Sequence, residues 1–198
     1  MHNDPRVHVL VINWNGREHL DACFESLLAV AYTNALFILL DNASEDGSVE
    51  YVQSTFGHDP RVGFVQCPQN LGWSGANNLG MQAALDAGAE YVLLLNNDTR
   101  VASDFLTPLV ELAESDTSIG ALSPRILMYD EPEIINSLGL EASIIGAGWD
   151  KGIGLYNRDV AQDNGAVLGV CGAAMFIRCT ALLKTGFLPD DFEIYLDD

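Results

Sequence analysis

The sequence predicts an α/β fold with a mostly parallel central sheet flanked by helices. Three observations predict it. Between Val7 and Leu122, compact β-branched or apolar runs alternate with stretches whose apolar residues recur at helical spacing. The connections between them are short, as in repeated strand–helix–strand units that cover both faces of a sheet. Each of the first four strands also ends in a cluster of Asn, Asp, Gly or Ser, and the carboxyl edge of such a sheet is where ligands bind.

The elements follow in order. Val7 to Ile12 is a buried strand, ended by the Asn15-Gly16 turn, and Leu20, Phe24, Leu27 and Leu28 mark the first helix. Leu36 to Leu40 is the second strand, stopped by Asp41-Asn42, and Ser44 or Ser48 caps a short helix carrying Val49, Val52 and Phe56. Val62 to Val65 is the third strand; a Gly-rich turn and a helix through Leu79, Ala83, Ala84 and Ala87 follow it. Tyr91 to Leu95 is the fourth and most apolar strand. Ser103 is the expected cap of a helix with Phe105, Leu109 and Leu112 on one face, and Ile119 to Leu122 is another short strand. From Ser123 to Gly165 the rhythm breaks, and glycines punctuate a loop-rich insertion of the kind that covers a site. Regularity returns with a strand through Met175-Phe176-Ile177 and a short helix at Thr180 to Lys184, closed by Gly186 as a left-handed cap.

Composition bounds the function. The 198 residues suit one domain, or one with a small appendage, and 48% hydrophobic content supplies a core. Nine Lys and Arg stand against 28 Asp and Glu, a formal charge of −19, and the cations are scattered. That balance argues against nucleic acid and against docking on an anionic lipid surface. An anionic ligand would therefore need a carboxylate-held divalent cation. Cys23, Cys67, Cys171 and Cys179 have neither zinc-ribbon nor redox spacing, so buried reduced thiols are expected. Met1 to Arg6 carries no signal-peptide pattern, and Ala166 to Leu183 reads as buried strand and helix rather than a membrane span. The expected location is cytoplasmic, free or peripheral at the inner face of the membrane.

The four strand-end clusters hold the candidate chemistry: Asn13-Trp14-Asn15-Gly16, the run Asp41 to Ser48, the run Asn70 to Asn78, and Asn96-Asn97-Asp98. Asp41 suits a base N–H, Asn13 or Asn15 a base or ribose, and a Gly72/Gly75 turn brings backbone N–H groups near a phosphate or sugar. Ordinary turn chemistry explains any one cluster equally well; four in succession at one edge do not arise that way so readily. Asp98, after five apolar residues, is either a turn cap with Thr99 or a ligand of Mg²⁺ or Mn²⁺. The closing Asp197-Asp198 pair reads by composition as a solvated acidic tail, with a general base as the alternative.

As an ordered set from Val7 to Asp198, these motifs, with Gly172 to Arg178 and Phe192 to Asp198, resemble family 2 inverting glycosyltransferases of the GT-A fold, especially the rhamnosyltransferase-like branch. The resemblance implies a nucleotide-sugar-binding half over 1–122 and an acceptor-side half over 123–198 within one domain. It implies Asn13, Asn15, Asp41, Asn70, Gly72, Gly75, Asn77 and Asn97 toward the donor, and Asp98 as metal ligand at the last acid of the family's Asp-X-Asp motif. Asn96 stands where that motif has its first acid. Asp197-Asp198 stands where the family has a Glu-Asp pair, so Asp198 is the implied catalytic base. The implied partners are a nucleoside-diphosphate sugar and a saccharide or lipid-linked saccharide acceptor in cell-surface polysaccharide or glycolipid synthesis. Rhamnose from dTDP-rhamnose is a family-level expectation. Family members continue past the acidic pair, so a shortened chain that binds a donor without turning it over is the alternative expectation. A sugar nucleotidyltransferase is a third; that class carries a Gly-rich, Arg/Lys-containing loop after the first strand, which Asn13 to Gly16 does not match.

Overall fold

The computed structural model describes residues 4–145, 147–161 and 164–189. Its centre is a six-stranded sheet built from β1 (Val7–Asn13), β2 (Ala35–Asp41), β3 (Val62–Gln66), β4 (Tyr91–Asn96), β5 (Ala121–Leu122) and, later in the chain, β10 (Ala174–Arg178). The spatial order is β3-β2-β1-β4-β10-β5. Strands β1 to β4 pair in parallel, and β10 runs antiparallel to both β4 and β5. The expected α/β class, with a mainly parallel sheet and helices on both faces, is what the chain adopts.

Alternation along the strands builds two cores. Val7, Val9 and Val11 of β1, with Phe37, Leu39, Leu93, Leu95 and Phe176, face one side. There α1 (Leu20–Leu28) buries Leu20, Cys23, Phe24 and Leu27, a stripe at helical spacing. With it pack α2 (Ser48–Thr55), through Val52, and α4 (Leu106–Ser115), through Leu106, Val110 and Ala113. Leu10, Ile38, Leu40, Val92, Leu94, Met175 and Ile177 face the other side, against α3 (Gly72–Asp86) and α5 (Cys179–Thr185). The closest approach there is at Gly80. A Cβ on it would lie 2.8 Å from one Leu40 methyl and 3.0 Å from a Leu10 methyl, so the missing side chain is what lets α3 rest on the sheet.

Several local expectations change. Neither Ser44 nor Ser48 caps α2: Gly47 occupies the cap at φ 77°, a left-handed conformation that suits glycine, and Ser48 is the first helical residue. Asp46 does the capping work by accepting the Ser48 N–H at 3.1 Å. Ser103 caps nothing; its carbonyl accepts the Ala31 N–H, a turn covers 103–105, and α4 begins at Leu106. The fully buried face of that helix is therefore Leu106, Val110 and Ala113, with Phe105 and Leu109 packing at its margin. Gly186 ends α5 with φ 89° and ψ 178°, an extended mirror conformation and not a left-handed helical cap. The segment expected to be loop-rich carries two antiparallel ribbons, β6 (Ile126–Leu127) with β7 (Ile135–Ser137) and β8 (Leu140–Ala142) with β9 (Gly148–Asp150). No helix among the described residues is long and apolar enough to cross a membrane.

Candidate functional site

The strand order reverses between β1 and β4: β2 and β3 lie on one side of β1, and the chain then returns to place β4 on the other. Crevices at such switch points, outside the carboxyl ends of the strands, are where open α/β sheets hold ligands. The register brings the polar clusters level there. Asn13 lies opposite Asp41, Ile12 opposite Asn96, and Asp41 opposite Gln66.

A hydrogen-bond network fills this edge. The Asn13 amide donates to Asp41 Oδ1 at 3.1 Å and to Ser44 Oγ at 3.0 Å. Asn97 Nδ2 donates to Asn13 Oδ1 at 2.6 Å. The Ser44 N–H donates to Asp41 Oδ2 at 3.0 Å, and the Asn15 N–H donates to Ser44 Oγ at 2.9 Å. Asn15 Oδ1 in turn accepts the Glu45 N–H at 2.8 Å. Asn15 and Ala43 both have positive φ, 52° and 62°. Asn tolerates that conformation, whereas Ala pays roughly 1 kcal/mol for it; the bonds from the flanking Asn42 and Ser44 hold Ala43 there. Asp46 ties the loop to the next element by accepting the Arg17 N–H at 2.9 Å. Burial pushes the Asp46 carboxyl up, but the bonds from Ser48 and Arg17 outweigh it and leave it below the ordinary aspartate value.

A second network fixes the start of α3. Asn42 Nδ2 donates to Asn70 Oδ1 at 2.9 Å and to the Gly72 carbonyl at 3.1 Å, while Asn42 Oδ1 accepts the Leu71 N–H at 2.8 Å. Asn70 Oδ1 also accepts the Gly72 N–H at 2.9 Å. Gly72 and Gly75, expected in a turn, both belong to α3, and the Leu71 and Gly72 N–H groups at its start are taken by the Asn42 and Asn70 side chains. Asn77 is fully buried inside α3, its amide donating to the Trp73 carbonyl at 3.1 Å.

The predicted residues therefore separate. Asn13, Asn15, Asp41, Asn97 and Asp98 gather at one edge. Asn70, Gly72 and Gly75 form the capped start of α3 beside it, and Asn77 faces the interior. Asp41 is 2% exposed and Asn13 1%, so both are held by their neighbours more than they are presented to solvent. Asp98 is the reverse case. It is exposed, in the turn after β4, and its carboxylate has no hydrogen bond or ion pair among the described residues. The turn itself is closed by Thr99 Oγ1, which donates to the Asn96 carbonyl at 2.7 Å. Asp98 is thus not needed as a cap, and it fits a divalent cation in the way Mg²⁺ and Mn²⁺ sites often form, with one protein carboxylate and the rest phosphate oxygens and water. Among the described residues no group of three His, Cys, Asp or Glu gathers to bind a metal without such help. Asp197 and Asp198 lie outside the described residues.

Residue types alone did not single out four further contributors. Trp14, 59% exposed at the end of β1, offers a flat aromatic face at the same edge. Asn42 and Ser44 organise the two networks. At Gly16, a Cβ would lie 2.1 Å from Asn97 Nδ2 and 2.9 Å from Asn13 Oδ1. The signal for all four was their place in the strand-end clusters. No disulfide joins the described cysteines, and Cys23, Cys67 and Cys179 are buried. Burial pushes the Cys23 thiol up to about 12 and Cys179 to about 11, which makes both inert.

The family model for Glycosyl transferase family 2 matches residues 8–185. A low-salt glycan biosynthesis hexosyltransferase, Agl10 of Haloferax volcanii, is 24% identical over 96% of this chain and 58% of its own length. A poly-beta-1,6-N-acetyl-D-glucosamine synthase of Staphylococcus aureus is 24% identical over 92% of this chain and 42% of its own. Among solved structures, the mannosyltransferase PcManGT of Pyrobaculum calidifontis, in complex with GDP-Man and Mn²⁺, superposes with a TM-score of 0.68 at 19% identity, over 96% of this chain and 49% of that one. S. aureus TarS in complex with UDP gives 0.66 at 15% identity, over 97% and 52%. The chain spans about half the length of these relatives, and the structural likeness establishes the GT-A-type fold.

Proposed function

The chain belongs to glycosyl transferase family 2, and on that premise we propose that it moves a sugar from a nucleoside-diphosphate donor to an acceptor hydroxyl with inversion, in the making of a cell-surface polysaccharide or glycolipid. The observation that carries this reading is the meeting of Asp41, Asn13, Asn97 and Asp98 at the β1/β4 switch point. Nucleotide sugars or nucleotides in two of the solved neighbours support the donor class.

The residues divide the work. Asp41 accepts one bond on each oxygen from within the protein, and an ionised carboxylate has further lone pairs for a base N–H at the rim. Trp14 provides a stacking face for the base, a contact that all nucleobases can make. Asp98, with donor phosphate oxygens, holds a divalent cation, which when bound offsets the charge that develops on the departing diphosphate. We assign the general base to Asp198. It takes the proton of the acceptor hydroxyl; that oxygen forms a bond to the anomeric carbon while the bond from this carbon to the diphosphate oxygen breaks on the opposite face. A single displacement of this kind inverts the anomeric configuration. A saccharide or lipid-linked saccharide is the acceptor class in this reading, and a deoxyhexose such as rhamnose is the donor sugar suggested by the resemblance.

Isothermal titration with UDP, GDP and dTDP, with and without Mn²⁺, tests the reading. At least one nucleotide should bind, and more tightly with the metal. Absence of binding to all three in both conditions would remove the proposal.

A further inference from the structure

The Asn13–Asn97 contact has a direction set by chemistry. A carboxylate only accepts, so Asn13 must turn its NH₂ toward Asp41. Its carbonyl oxygen then faces Asn97, which must donate, and the 2.6 Å Nδ2–Oδ1 contact fits that assignment. Asn13 is 1% exposed and both ends of its amide are engaged. Such a side chain joins the two segments on either side of it. On one side lies the loop 41–48, whose Ser44 N–H and Glu45 N–H are held by Asp41 and Asn15. On the other lies the turn carrying Asn97 and Asp98. Gly16 clears the path between them. Its φ of −111° suits any residue, so space and not backbone freedom demands glycine: a Cβ would lie 2.1 Å from Asn97 Nδ2.

We propose that Asn13 is a polarised positioning strut that locks the Asp41 loop to the Asn97–Asp98 turn, and that position 97 must supply a donor and exclude an acid. The strut would hold the base-reading and metal-bearing segments at a fixed separation, a role that rests on the donor-site reading above; the strut itself does not.

The test uses the full chain and a reversal of polarity. In Asn97→Asp, a carboxylate meets the Asn13 carbonyl oxygen, and turning the Asn13 amide over only moves the clash to Asp41. Amide hydrogen exchange at Ser44 and Glu45, across the strut from the substitution, should rise about tenfold, the scale of one lost buried hydrogen bond. Asn97→Ala and Gly16→Ala should raise it in the same two residues. In the double variant Asp41→Asn with Asn97→Asp, position 41 can donate and position 97 can accept, so the reversed Asn13 amide fits and protection should return toward that of the parent. Unchanged protection in Asn97→Asp and Asn97→Ala would overturn the proposal. So would a double variant as exposed as Asn97→Asp alone. If Asn97→Asp does not fold, folding of the double variant supports the strut and its failure to fold counts against it. Nucleotide titration separates the two claims: the double variant should stay weak for nucleotide because Asp41 is gone, while a parent chain that binds no nucleotide defeats the donor reading and leaves the exchange result to decide the strut.

Discussion

His8 lies in the middle of β1, 1% exposed, and neither ring nitrogen has a hydrogen-bond partner among the described residues. Burial, and after it the charge of Arg6, holds its pKa below the ordinary 6.5. The unfolded chain therefore takes up the proton first. The stability that comes from keeping His8 neutral is complete above that ordinary value and is lost as the pH falls through and below it. Urea midpoints between roughly pH 7.5 and 5.5 should fall in the parent chain, and more shallowly in His8→Leu. Asp98 sets the second expectation at this scale. Asp98→Ala should weaken nucleoside-diphosphate binding by about tenfold in Mn²⁺ and much less without it, whereas Glu111→Ala on the exposed face of α4 should leave both titrations unchanged. The sequence announced the kind of residue at each strand end but not its direction. Asn13 and Asn77 carry the same amide as Asn97, yet one is turned into a strut and another into the body of α3. The facing of a single side chain depends on neighbours from distant parts of the chain.

Among the elements, α3 rests on the sheet through a glycine, Gly80. Gly80→Val should force its side chain into Leu40 and Leu10 and cost about 1–3 kcal/mol in urea unfolding. The strands β1 to β4 and the helices between them were legible because each buries a face whose periodicity is written in apolar residues. The helix starts were less so. At α2 and α4 a serine offered a cap, but the chain spent Ser44 on Asn13 and Asn15 and used a glycine or a turn to begin the helix. The ribbons β6–β7 and β8–β9 left no signal of their own, since strands of two or three residues are too short to show an alternation. The strand-end clusters stood out only as a set, because each cluster alone is what any turn contains.

Across the whole molecule, charge and topology dominate. A chain at −19 repels a nucleoside diphosphate until a cation intervenes. In the absence of divalent metal, the affinity for such a nucleotide should therefore increase as NaCl is raised from about 20 to 200 mM, since screening reaches shorter distances than the size of the molecule; titration at the two concentrations checks it. Topology bears on how the protein comes to exist at all. The central sheet receives β10 between β4 and β5, although β10 is made long after both, and among the described residues β5 joins the sheet only through it. On the ribosome, then, the nascent chain carries β4 with a bare, adhesive margin until more than fifty further residues have emerged after β5. Synthesis stalled in that interval would leave a polypeptide that looks half finished and behaves as a seed for clumping.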